Sequence, residues 1–359
     1  MKLTINTSQL QNLVTKASKG ASENKLLPMT SLMSVDYDGN GHLSLTTTDM
    51  TNYLTVRLNE ASTSDDELHI VVMAESFAKL ISKMTSENVT LEFDGEQFTV
   101  SGGRSTYKIE LPLDVDGTLV KLSVPEVKGK LNQKIKISSI KKILNTAKSS
   151  LATTLDSPCY TAYYIGDTIL SSDGYKICCI KEKLFDKPVL ISSATMDLLD
   201  IAESDLQCAL VDDSIKFMTE DETFSLSTKT FDGIEFYSVN EITDLVESEF
   251  EANCVLNKNA MLQALDRLSL FVGQYDRNVI DMTFDADRLL LTNRAQAGIE
   301  EIEYVSTTGN AFECAIDIEM LISQIKAQPN DEFKLYYGLD NCIKIADDNT
   351  VQIISLFNE

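Results

Sequence analysis

Hydrophobic and polar positions alternate most cleanly between Asn88 and Pro112, where the chain reads NVTLEFDGEQFTVSGGRSTYKIELP. Val89, Leu91 and Phe93 alternate with Thr90, Glu92 and Asp94, a period of two that predicts a strand with one buried face. Asp94-Gly95 is a two-residue hairpin turn signal. Phe98 and Val100 resume the alternation, Gly102-Gly103 turns the chain again, and Tyr107, Ile109 and Leu111 form a third strand. Just upstream, Glu75 to Met84 sets Phe77, Leu80, Ile81 and Met84 at the spacing of one helical face. A short strand, His69 to Met73, precedes that helix. The unit is therefore a strand, a helix and a three-stranded meander.

The unit recurs. Helical patterns return at Ser8 to Lys19, Ser138 to Ser149, Thr195 to Glu203, Asn257 to Leu270 and Ile318 to Ala327. Hairpin patterns return at Val35 to Leu45, Tyr163 to Ser172, Ala209 to Met218, Met282 to Thr292 and Leu335 to Ile345. Six copies fit in 359 residues, a spacing of about 60 that is too long for the common helical solenoids. Each copy is half of a small α+β domain. Pairing them gives three domains, 1–125, 126–248 and 249–359, in line with the usual domain size.

Local signals fill in the order. Met1 to Thr7 reads as a strand with Leu3 and Ile5 inward, and Ser8 is placed to cap the helix carrying Leu10, Leu13, Val14 and Ala17. Val124 to Val127 reads as an extended linker, Asp232 to Glu249 as an acidic connector, and Val351 to Phe357 as a closing strand.

Composition removes several function classes. The two histidines, His42 and His69, sit in strand patterns, too few for a Ser/His/Asp set. No G-x-x-x-x-G-K-[ST] phosphate loop exists. The seven cysteines form no CxxC pair and mostly fall in strands, as buried reduced thiols do. Acid pairs such as Asp212-Asp213 and Asp347-Asp348 sit at hairpin tips, where aspartate bonds the local backbone. No apolar run long enough to span a bilayer is present and none precedes Asn6, so a cytoplasmic protein without a signal peptide is expected. The reading is a binding protein without cofactor or metal, not an enzyme.

The net charge of −24 argues against a nucleic-acid partner. Its distribution argues the other way: the six helical segments together carry +4 and the remainder −28. Lysines on solvated helix faces are common. A shared, weakly basic helical surface opposite acidic sheets would also pass DNA along the helices and repel it elsewhere. The cations expected on that surface are Lys16, Lys19, Lys25, Lys79, Lys83, Lys141, Lys142, Lys148, Lys258, Arg267 and Lys326.

Three stretches carry a family resemblance. LSLTTTDMTNYL (Leu43 to Leu54) is similar to the L-x-L-T-x-T-D-L-E stretch of the bacterial sliding clamps, the β subunits of DNA polymerase III. SSDGYKICCI (Ser171 to Ile180) resembles their A-T-D-G-H-R-L, and Arg104-Ser105-x-Tyr107-x-Ile109 their R-S-x-F-x-L interface strand. The resemblance implies a DNA-clamp fold of three domains. It also implies a head-to-tail homodimeric ring around duplex DNA, acting as a processivity factor. Tyr107 and Ile109 of one protomer would meet Leu270 and Phe271 of its partner. Polymerase and clamp loader would dock short Q-L-x-L-F-like peptides in a groove of Thr161, Ser172, Gly174, Tyr175, Lys176, Ile177, Ile353 and Ser355.

The chain departs from the family at Tyr175-Lys176, where His-Arg is usual, at Asp232 to Tyr237, which lacks F-P-D-Y, and in the tail Ile353 to Phe357. These departures suit a divergent member. The rival reading is a structural or adaptor protein built from the same duplicated unit without DNA; a weaker one is an enzyme with an unrecognised site. The tail Gln352 to Phe357, QIISLF, itself resembles a clamp-binding peptide, though strand alternation accounts for it.

Overall fold

The computed structural model describes residues 1–24, 26–61, 67–153, 158–231, 236–272, 278–294 and 297–357. Seven α-helices lie among them: α1 (Thr7–Ser18), α2 (Ala74–Ser82), α3 (Ile137–Thr146), α4 (Ser193–Leu199), α5 (Val239–Glu247), α6 (Lys258–Ser269) and α7 (Ile318–Lys326). None is long and apolar enough to cross a membrane. The chain divides into two compact units, Met1–Ile140 with Ala194–Thr230, and Lys141–Ser193 with Phe231–Glu359. The middle pair of repeats is thus divided: its second member and the start of its first lie in the first unit, and the rest of the first in the second.

In the first unit a four-stranded antiparallel sheet runs Lys2–Asn6, Asn88–Phe93, Phe98–Gly102, Ser105–Ile109. Its register pairs Leu3 with Leu91 and Ile5 with Val89, so the predicted alternation puts the apolar side chains on one buried face. The turn at Asp94 is bonded by its own carboxylate, which accepts from the backbone N–H of Gln97 at 2.7 Å. Gly95 there has φ +104°, a conformation that favours glycine. An eight-stranded sheet runs Glu67–Met73, Leu32–Asp38, Leu43–Thr48, Asn52–Leu58, Phe224–Lys229, Ser214–Thr219, Leu206–Val211, Gln133–Ile135. It is continuous because Leu54 pairs with Leu226, joining strands far apart in sequence. The α1 cap is Asn6, whose side chain accepts from the N–H groups of Ser8 and Gln9. Ser8, expected in that role, already lies inside the helix, because the preceding strand ends at Asn6, one residue earlier than its pattern suggests.

In the second unit a nine-stranded sheet runs Val189–Ser192, Ala162–Ile165, Ile169–Ser172, Lys176–Ile180, Thr350–Ser355, Cys342–Ala346, Glu332–Tyr337, Ala252–Asn257, Ser306–Thr308. A four-stranded sheet runs Ile299–Glu303, Arg288–Asn293, Val279–Phe284, Phe312–Asp317. The apolar faces of α6 and α7 share one core with both sheets, centred on Phe284 stacked on Tyr337 at 4.0 Å. Within the segment expected to be a connector, Val239–Glu247 is helical instead, while 232–235 lie outside the described residues. Ser238 caps α5 by accepting from the Glu241 N–H at 3.3 Å, and Ile242 and Val246, one turn apart, are buried. Acidic residues on its outer face hide that apolar pair in the composition.

Candidate functional site

Eight residues expected to form a groove fall on one stretch of the second unit. Ile177 pairs with Ile353 and Lys176 with Ile354 in adjacent strands. The Ser355 N–H donates to the carbonyl of Tyr175 at 2.9 Å, which brings the end of the last strand to the Ser172–Lys176 turn. Gly174 has φ +92°, and a side chain there would begin 3.8 Å from the Tyr160 hydroxyl. Tyr175 is 63% exposed. Ser172 and Ile353 are buried, whereas Thr161, Ile177 and Ser355 are half-buried.

Lys176 does not offer its charge to solvent. Its side chain is 12% exposed and lies 3.3 Å from Asp173 Oδ2, while Nζ donates to the Ser149 carbonyl at 2.7 Å. Asp173 is itself occupied by the turn, accepting from the N–H groups of Tyr175 and Lys176 at 2.9 and 2.7 Å.

Helix α5 lies over the same sheet face, with Ile242 and Val246 in one cluster with Leu170, Cys179, Val351 and Ile353. The chain enters that helix through Phe236 and Tyr237, which meet edge to face. Tyr237 stacks on Tyr160 at 5.4 Å and Phe236 on Tyr164 at 5.5 Å. This four-ring array was not expected from the sequence. Its signal was Tyr160, Tyr164, Phe236 and Tyr237 at the ends of two segments that meet only in the fold.

The tail QIISLF is part of the sheet. Gln352 accepts from the Gln328 side chain inside a buried polar cluster, and the Phe357 N–H donates to the Ala315 carbonyl at 2.8 Å. It is no free peptide.

Over 100% of its length the chain superposes on the DNA polymerase sliding clamp of Bacillus subtilis, with TM-score 0.87, 17% identity and 99% of that chain covered. The beta subunit of Streptococcus pyogenes DNA polymerase gives 0.86 at 16% identity, and the DNA polymerase III subunit beta of Pseudomonas aeruginosa 0.85 at 15%, each with 100% of both chains covered. Residues 1–116 match the family model described as DNA polymerase III beta subunit, N-terminal domain. The chain resembles the bacterial sliding clamps and has their fold. None of the curated proteins matches it in sequence.

In this clamp fold the residues expected at a dimer interface lie on open surfaces. Tyr107 is 43% exposed on Ser105–Ile109, the edge strand of its sheet, and Ile109 is half-buried. At the end of α6, Leu270 is 79% and Phe271 53% exposed. The Phe271 carbonyl accepts from Asn293 Nδ2 at 2.9 Å, and its ring approaches Gly298. That places Leu270 and Phe271 beside Ile299, exposed at the start of the edge strand Ile299–Glu303. Ile299 was missed; the alternation Ile299-Glu300-Glu301-Ile302-Glu303 was its signal.

The expected DNA-facing cations divide into two groups. Lys16 pairs with Glu203 at 2.8 Å, Lys79 with Glu75, and Arg267 with Glu300 through two bonds of 2.8 and 2.6 Å. Lys258 donates to the Lys326 and Gln328 carbonyls at the end of α7. Lys19, Lys83, Lys141, Lys148 and Lys326 are exposed and Lys142 half-buried; Lys25 lies outside the described residues.

Proposed function

We propose that this chain is a non-catalytic DNA polymerase processivity factor. Two protomers close into a ring around duplex DNA, which slides through without sequence readout, and polymerase and loader are held by short peptides. The chain contributes three clamp domains to the ring, at 1–125, 126–248 and 249–359. The observation that carries the reading is the full-length clamp fold. The two open edge strands support ring closure, since an unpaired edge is a liability that assembly removes. Charge favours pairing them: Arg104 and Lys108 flank the first edge, and Glu303 lies on the second beside Glu300 and Glu301, which are already bridged to Arg267 and Arg288.

A weakly basic lining suits sliding, because tight individual phosphate clamps would slow it. Lys19, Lys83, Lys141, Lys142, Lys148 and Lys326 supply such a lining, with Lys16, Lys79 and Arg267 tempered by their carboxylates. The groove at Gly174, Tyr175 and Ile177, with Ile353 buried beneath it, takes the apolar anchors of a Q-L-x-L-F-like peptide.

The test combines native mass with retention on DNA. A clamp has the mass of two chains, stays on nicked circular DNA and runs off the linearised form. A particle of that mass that ignores DNA even when loaded would instead support a DNA-free adaptor, which the net charge and the paired cations favour.

A further inference from the structure

We infer that a cavity in the first unit captures the C-terminal residue of a peptide, an apolar side chain next to a free carboxylate. The cavity measures about 280 Å³ and is walled by α1, the end of the strand Asn52–Leu58, residues 201–204 after α4, and the turn 221–224. That is just short of the sites that take drug-sized ligands, about 300–1,000 Å³, and suits one residue better than a stretch of chain. The inference does not depend on the peptide groove, whose residues belong to the other unit.

The floor is apolar. Leu13, Val56, Ile201 and Phe224 line it and are buried, so an apolar side chain laid on them gains in proportion to the area it removes from water. Arg57 supplies the charge. A guanidinium has five N–H donors, and among the described residues the one acceptor of Arg57 is Glu222, bonded to Nη1 at 2.7 Å. Its Nε is buried without a partner. A buried donor left unpaired is costly, and the Nε–Nη2 edge of a guanidinium matches the two oxygens of a carboxylate.

The other charges of the lining are engaged. Lys16 of α1 bonds Glu203 beyond α4 at 2.8 Å. Asp221 Oδ1 accepts from the N–H and the hydroxyl of Thr223 at 3.1 and 2.8 Å. Two cations, Lys16 and Arg57, thus face two carboxylates, Glu203 and Asp221. That balance admits a single negative charge and disfavours a polyanion. Gln9 and Asn12, three residues apart on α1, line the same cavity, and their side-chain amides have no partner among the described residues. An amide both donates and accepts, as the last peptide group of a bound chain requires. A terminal leucine places its side chain on the floor and its carboxylate on Arg57. An internal leucine leaves Arg57 unpaired and is rejected.

Fluorescein-labelled GSGSGSL and its C-terminal amide test this by anisotropy on the full chain. The free acid should bind at least about tenfold more tightly than the amide. N-acetyl-leucine should displace it, and inorganic phosphate at the same concentration and ionic strength should not. Arg57→Gln should abolish the preference for the acid. Ser204→Phe, at an exposed position of the lining, should weaken both peptides. Circular dichroism establishes that the variants fold; the comparison of acid with amide uses the parent alone and decides even where a variant does not. Equal binding of acid and amide, or a preference that survives Arg57→Gln, overturns the capture of a carboxylate. Displacement by phosphate as effective as by N-acetyl-leucine overturns the apolar residue and leaves an ordinary anion site. Binding of neither peptide overturns the inference whole.

Discussion

Lys176 Nζ donates a 2.7 Å hydrogen bond to the carbonyl oxygen of Ser149. It ties the Ser172–Lys176 turn to the 3₁₀ turn Ala147–Ser150 that continues α3. Ser171 Oγ adds a second tie, to the Ala147 carbonyl at 2.7 Å, and Ser150 is joined to Gln324 of α7. The side chains at the proposed groove and the turn carrying Lys148 therefore share one rigid, mostly buried frame.

Breaking that tie has a defined outcome. Lys176→Met keeps the stem but removes a charge-assisted bond and leaves the largely buried Asp173 without its cation. Stability should fall by about 1–3 kcal/mol. Chemical denaturation measures it, and amide exchange should accelerate over residues 147–150. Because the pair is 12% and 13% exposed, high salt should not reproduce the loss. Unchanged exchange at those amides would show that the bond does not hold the turn.

The dimer prediction follows from exposure. Leu270 and Phe271 project from the end of α6, so Leu270→Ala with Phe271→Ala costs the single chain little packing. Sedimentation should find a folded monomer. A persistent dimer would place the interface elsewhere. Replacing Arg104 and Lys108 by glutamate should also weaken association, most at low ionic strength.

Lys141, Lys142 and Lys148 occupy α3 and the turn after it. Their joint replacement by alanine should shorten retention on circular DNA and flatten the dependence of log K on log salt by up to about 2–3. Identical salt dependence in parent and variant would mean these lysines do not meet phosphate.

The thiols offer a pH test. Burial pushes Cys208 up to about 11 and Cys254 up to about 12; burial, with Asp281 adding to it, takes Cys314 to about 12. Burial also raises Cys178, with Cys179 adding to the rise. At pH 8 these groups stay protonated, so the native protein should react with a thiol reagent at far fewer than its seven cysteines. Denaturant should release all seven. Rapid native reaction at all of them would mean that the strands carrying these thiols open easily.

Strand alternation was legible wherever one face is buried, as at Val89, Leu91, Val100 and Leu3, because local pattern and tertiary burial agree there. Helix α5 was not. Its Ser238-x-x-Glu241 cap and Ile242/Val246 pair are present in the sequence, but the acids between them match a solvated connector equally well. Continuity of the sheets was invisible for a different reason. The pairings of Leu54 with Leu226 and of Ile177 with Ile353 join residues 172 and 176 positions apart, and no local periodicity encodes a partner that distant. The inward turn of Lys176 is similar, since the Ser149 carbonyl that holds it is supplied by the fold.

Gly174 gives the sharpest test of the groove. At φ +92° any other residue is strained, and its Cβ would stand 3.8–3.9 Å from the Tyr160 ring and hydroxyl. An arginine there adds a long charged side chain beside Tyr160 at the mouth of the proposed groove. The backbone strain should cost about 1–2 kcal/mol, small enough for the dimer to survive if the core is intact. A labelled QLSLF peptide should therefore bind the parent and lose most of its affinity in Gly174→Arg, while Gly174→Ala, equally strained but short, should keep much of it. Loss in both variants would attribute the effect to the turn's backbone, and loss in neither would put the peptide on another surface.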